Sequence, residues 1–238
     1  MGLLALSIAP GIAICLFIYF KDRHNKEPIG LLLMSFVLGM LATVPAIIIQ
    51  LLSGSSLDEM ESKSYKDIAV FAFGVVAISE ELSKFVMLRF YAFNKKSFDE
   101  PFDGIMYAVM VGMGFATLEN IGYVFEHGFG TGILRMFMAV PAHATFAVLM
   151  GYHVGLAKYD YSNRGKHFLL ALFWPVLFHG AYDFFLFTGS GFIHFGGALV
   201  AFYIAIRLSR KAIRLQQSIS ADHAAGIDAV NNNDHSLL

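Results

Sequence analysis

Residues 29–52 read IGLLLMSFVLGMLATVPAIIIQLL, twenty-four consecutive residues without a charged side chain. About 20 apolar residues suffice for a helix to cross about 30 Å of hydrocarbon, so this stretch by itself predicts a membrane span. Six further stretches of the 238-residue chain read the same way: Leu3–Phe20, Asp67–Phe93, Asp103–Glu126, Thr131–Ala157, His167–Phe187 and Phe192–Arg207. The expected fold is therefore all-α, a polytopic bundle of about seven transmembrane helices. Composition agrees. Charged residues make up 15% and hydrophobic ones 57%, where a soluble domain carries about 25% charge. So few charges could not cover the surface of a water-soluble fold. The formal net charge of −1 removes the basic footprint that nucleic-acid binding requires. The single cysteine, Cys15, excludes an intramolecular disulfide and a thiolate metal cluster. The first stretch lacks the basic leader of a signal peptide and is read as a span.

The distribution of Lys and Arg predicts orientation. Thirteen fall in the loops after spans one, three and five and at the C-terminal end, against Lys63, Lys66 and Arg135 on the other side. An N-terminus outside and a C-terminus in the cytoplasm follow, in a cell membrane. Residues 1–215 read as one transmembrane domain. Residues 216–238, ending NNNDHSLL, read as a polar, disordered tail because hydrophobic periodicity is missing. The acid-rich loop from Ser53 to Lys66 reads as exposed.

Ionisable groups within spanning helices cost about 2.5–3.5 kcal/mol each and are usually functional. Span three carries Ser79-Glu80-Glu81-Leu82-Ser83-Lys84, span four Glu119-Asn120, span five His143 and span six His179 and Asp183. Glu80 and Lys84 are four apart and can pair on one helix face; Glu81, about 100° round, needs another partner. His179 and Asp183 share a face in the same way, so the aspartate can orient the imidazole. His153, His167 and His194 lie near span ends and read as interfacial. At about 1.5 Å per residue, Glu80, Glu119, His143 and His179 all fall between the midplane and the outer half of the membrane. One buried pocket could gather them. Neither an HExxH zinc motif nor a GxSxG nucleophile elbow is present.

This ordered set of EExxK (Glu80, Glu81, Lys84), FxxxEN (Phe115, Glu119, Asn120), His143 and HxxxD (His179, Asp183) resembles the PrsW family. These are bacterial intramembrane proteases related to the CAAX prenyl endopeptidases. The resemblance implies hydrolysis of a peptide bond in a membrane-anchored protein, specifically site-1 cleavage of an anti-sigma factor in envelope-stress signalling. It also implies Glu80, Glu81, His143 and His179 as catalytic residues, supported by Lys84, Glu119, Asn120 and Asp183. Two chemistries stay open. In one, Glu80 or Glu81 is a general base without metal, and His179 and Asn120 donate to the oxyanion. In the other, His143, His179 and a carboxylate such as Glu119 or Glu81 hold Zn²⁺. Buried acids, histidines and proline-broken helices also suit an alternative, a proton- or ion-coupled transporter.

Overall fold

The computed structural model describes residues 2–22, 25–54, 63–189 and 191–226, and among these the regular structure is helical throughout. Helix α1 is Gly2–Lys21 and α2 is Ile29–Leu52. The third run, α3, is made of contiguous pieces: Tyr65–Ala69, a π-helical stretch Val70–Ala77, the α-helical Ile78–Met87, and a second π-helical stretch Leu88–Ala92. Helix α4 is Asp103–Phe137, α5 Ala139–Tyr159, α6 Arg164–Phe187 and α7 Phe192–Ala224. Five segments are long and apolar enough to cross a membrane: α1, α2, the bent 57-residue stretch Asp103–Tyr159, α6 and α7. Two of the expected spans lie within the bent stretch. The expected Asp67–Phe93 span coincides with α3, whose π turns divide it into pieces.

The bend has a local cause. Gly128 adopts φ 82° and ψ −168° within α4, a conformation open to glycine and costly for residues with a Cβ. The nine residues after it form a short arm rather than the start of span five. This arm rests on α1, where Gly132 would bring a Cβ to 2.4 Å from Leu6. Span five then begins at Ala139, eight residues later than expected from Thr131.

Helix α4 is the hub, packing on α1, α2 and α5. Small residues allow the close approach. A Cβ on Gly39 of α2 would lie 2.0 Å from the Val111 carbonyl oxygen, and one on Gly114 would lie 1.9 Å from that of Phe36. The outer surface is the reverse of a soluble protein's: Leu51, Leu52, Phe90, Ile193 and Phe192 are exposed, as suits a lipid-facing belt.

The C-terminal end departs from expectation. Helix α7 continues beyond Arg207 to Ala224, so residues 216–224 belong to a packed helix and not to a disordered tail. Gln216 is fully buried and its Nε2 donates to the carbonyls of Pro101 and Tyr152, both at 3.0 Å. Ser220 Oγ accepts from Phe102 N. The buried face is Ser209, Ala212, Gln216, Ile219 and Ser220, a helical period written largely in small and polar residues that hydropathy does not register. Residues 227–238, and residues 55–62 of the acid-rich loop, lie outside the described residues.

Candidate active site

Four helices and the arm deliver the intramembrane polar groups to one place. The π-helical stretch of α3 ends at Ala77, directly ahead of Ser79-Glu80-Glu81. Such widened turns are frequent at functional sites. Glu80, Glu81 and Lys84 are all buried. Lys84 Nζ donates to Glu81 Oε1 at 2.7 Å and to Glu80 Oε2 at 3.4 Å. The closer partner is thus Glu81, three residues away, and not the i,i+4 partner Glu80 expected from face sharing. Lys84 Nζ also lies 3.2 Å from His143 Nδ1 and 4.1 Å over the Phe115 ring, a cation–π contact.

His179, projecting from α6, meets a carboxylate at each ring nitrogen. Its Nδ1 is 2.8 Å from Glu81 Oε1, and its Nε2 is 3.2 Å from Asp183 Oδ2 and 3.9 Å from Glu80 Oε2. Asp183 thus reaches the His179 ring from one turn away on the same helix face. Phe146 stacks on the His179 ring at 5.1 Å, and the His143 ring stands nearly perpendicular to it at the same distance. Glu81 is therefore satisfied by Lys84 and His179 together through Oε1, while its Oε2 has no hydrogen-bond partner among the described residues.

Glu119 is placed differently from expectation. Its Oε2 accepts from Arg135 Nη2 at 2.7 Å and lies 2.9 Å from His143 Nε2. Arg135 Nε donates to Asn120 Oδ1 at 3.0 Å, and Asn120 Nδ2 donates to Ser7 O at 3.1 Å. Asn120 is thus committed to tying α4 to α1 and holding the arm's arginine. It is not among the residues of the cavity wall, and both ends of its amide are already bonded. Arg135, read from sequence as an outer-loop charge, is part of the site. Gln50 of α2 is a further member, with Nε2 3.3 Å from Glu80 Oε1.

A cavity of about 710 Å³ opens onto this group, and its wall includes Glu80, Glu119, Arg135, His143, His179 and Asp183. Glu81 and Lys84 stand behind that wall. Glu80, Glu81, His143 and His179 each offer one ligand atom, all within 4.8 Å of one another and all from buried residues. Two carboxylates and two imidazoles, with Glu81 Oε2 unsatisfied, suit a borderline divalent metal such as zinc. Glu119 is not in this convergent set, because Arg135 and His143 already occupy it. The Lys84 ammonium touches three of the four, so its flexible stem would have to carry it aside for a metal to enter.

No solved structure matches the chain. Residues 27–209 match the model of the PrsW family intramembrane metalloprotease. The chain is 33% identical to Protease PrsW of Geobacillus kaustophilus over 89% of its own length and 92% of the relative's. It is 35% identical to Protease PrsW of Oceanobacillus iheyensis, covering 87% and 91%, and 34% identical to that of Bacillus subtilis, covering 89% and 95%. With the family match spanning most of the chain and the acids and histidines converging on a buried cavity, the chain belongs to the PrsW family and is a multi-pass intramembrane protease of the bacterial cell membrane.

Proposed function

We propose that the cavity binds an unwound segment of a membrane-anchored protein and that Glu80 is the base that activates water against its scissile carbonyl. The observation that carries this is the position of Glu80. Of the two adjacent acids it is the one on the cavity wall, while Glu81 is closed in behind it by Lys84 and His179. Glu80 accepts the proton of the attacking water and returns it to the leaving amine. The Gln50 amide, 3.3 Å away, fixes its carboxylate. Glu81 and Asp183 hold His179 from both sides, and Arg135 faces the cavity as a donor for the developing oxyanion. Glu81, His143 and His179 are the residues that would hold a metal, leaving Glu80 free. When bound, such a metal supplies Lewis-acid polarisation of the carbonyl and a more acidic water. By the family resemblance the substrate is an anti-sigma factor, cut on its extracytoplasmic side in envelope-stress signalling.

Co-expression with a tagged, membrane-anchored anti-sigma factor from the same genome, followed by immunoblotting, tests this reading. Wild type is expected to produce a shortened fragment, and Glu80→Gln to lower its rate by about 10²–10⁴-fold, the usual contribution of a general base. Glu81→Gln and His179→Ala are expected to be inactive as well. Cleavage that survives all three changes would sink the site. An unrelated single-span reporter cut at the same rate as the anti-sigma factor would overturn the substrate assignment while leaving the chemistry intact.

A further inference from the structure

The far end of α4 encloses a second set of acids. Asp103 begins the helix, sixteen residues before Glu119, which at 1.5 Å per residue is about 24 Å away along the axis. The two groups cannot be one site. Asp103 is fully buried; its Oδ2 accepts from the backbone N–H groups of Asp99 at 2.9 Å and Glu100 at 2.8 Å. Its Oδ1, equally enclosed, accepts from no N–H group among the described residues. Glu27, just ahead of α2, is 3% exposed and accepts from the Tyr107 hydroxyl. Glu100 is 5% exposed, and its Oε1 likewise accepts from no N–H group among the described residues. Asp99 completes the group at the surface, held by Asn25 Nδ2 at 3.1 and 3.3 Å. One oxygen each from Glu27, Asp99 and Asp103 lies within 4.8 Å of the others.

Acids enclosed together must share protons or gain positive charge, and the described residues supply no ion pair to them. No Lys or Arg among them forms an ion pair with Glu27, Asp99, Glu100 or Asp103. The nearby ammonium of Lys26 is spent on the carbonyls of Tyr19 and Asp22, and that of Lys158 on the carbonyl of Phe93. Replacing a lost counter-charge is what a bound cation does.

We propose that Glu27, Asp99 and Asp103, with Glu100 beside them, form a site for a hard divalent cation, Ca²⁺ or Mg²⁺. All the donors are oxygens, the preference of these ions over zinc or copper. The 4.8 Å limit on their separation is about twice a Ca²⁺–oxygen distance of about 2.4 Å. The ion satisfies Asp103 Oδ1 and joins the start of α2, the segment ahead of α4 and the first residue of α4. It thereby clamps the end of the bundle opposite the proteolytic cavity. This site does not depend on the proteolytic reading.

Full-length protein purified in detergent, stripped with EDTA and desalted, is titrated with CaCl₂ and separately with MgCl₂ by calorimetry, with thermal unfolding in parallel. One saturable site for at least one ion, accompanied by a higher unfolding temperature, is expected. It should persist in His179→Ala, which disables the Glu/His cluster, and weaken at least about tenfold in Asp99→Asn and in Glu27→Gln. Asp99 is exposed, so its replacement tests the idea even where Glu27→Gln fails to fold. No saturable binding of either ion in wild type overturns the site. So does binding that is lost in His179→Ala, or that changes less than about threefold in Asp99→Asn.

Discussion

Arg135 shows how a site residue escapes a reading by position in the chain. It lies sixteen residues beyond Glu119, across the Gly128 bend, and in sequence it looks like a loop charge. Only the folded-back arm brings its guanidinium to 2.7 Å from Glu119 and 3.0 Å from Asn120. Removing one partner of an enclosed pair costs more than the pair contributes, because the other charge is left without compensation. Arg135→Met is therefore expected to lower stability by about 1–3 kcal/mol and cleavage at least about tenfold. Glu119→Gln added to it should recover stability in thermal unfolding, though not activity; a double variant no more stable than Arg135→Met would sink the pairing. Lys84 poses the opposite problem. Its ammonium already sits among Glu80, Glu81 and His143, the groups a divalent ion would use. Lys84→Met leaves two adjacent buried acids unneutralised, so the metal-free variant should unfold at lower temperature than wild type. Added Zn²⁺ should then raise its unfolding temperature more than it raises that of wild type. Equal zinc shifts in the two proteins would show that Lys84 and the metal do not compete. Intramembrane acids and histidines were legible because hydrocarbon makes them conspicuous. The i,i+4 pair of Glu80 with Lys84 was legible too, but the closer contact with Glu81 was not, since a long lysine stem also reaches the residue three positions away.

At the scale of elements, what was legible is what hydropathy measures. The apolar runs of α1, α2 and α6 were read to within a few residues. Two features that hydropathy ignores were missed: the Gly128 bend, a backbone conformation, and the last turns of α7, whose buried face is small and polar. Both bear on the proposed sites, because the arm carries Arg135 and α7 holds the chain around Pro101 through Gln216. The α2–α4 contact is set by glycines, and it carries Gln50 to Glu80. Gly114→Ala would press a Cβ to 1.9 Å from the Phe36 carbonyl oxygen, backbone that cannot yield as a side-chain tip would. The helices must separate, so a large loss of thermal stability and of cleavage is expected. Gly122→Ala provides the internal control: it meets nothing within 4 Å and gains helix propensity of up to about 1 kcal/mol. If both variants unfold at the same temperature, close packing at Gly114 is not what holds α2 against α4.

At the scale of the whole molecule, the lipid-facing belt and the low charge make the membrane reading robust, and orientation is the property still to be measured. The positive-inside count gains force once Arg135 is removed from it, since that residue is engaged with Glu119 rather than exposed in a loop. Lys63 and Lys66 then remain on one side against thirteen basic residues on the other. If α3 crosses once and the bent Asp103–Tyr159 stretch crosses twice, the chain makes seven passes, with the N-terminus outside and the C-terminus inside. The carboxylate cluster around Asp103 would then lie at the cytoplasmic end, between loops rich in Lys and Arg. The cavity with Glu80 would sit nearer the outer half, where a membrane-anchored substrate presents its extracytoplasmic stalk. Cys15 is the single cysteine and is buried, so Cys15→Ala provides a cysteine-free background. In it, Gly54→Cys is expected to react with a membrane-impermeant maleimide in intact cells, and Ala225→Cys only after the cells are opened. Labelling of Ala225→Cys in intact cells would put the C-terminus outside. An even number of passes, or an inverted bundle, would follow, and the Asp103 cluster could no longer be placed at the cytoplasmic face.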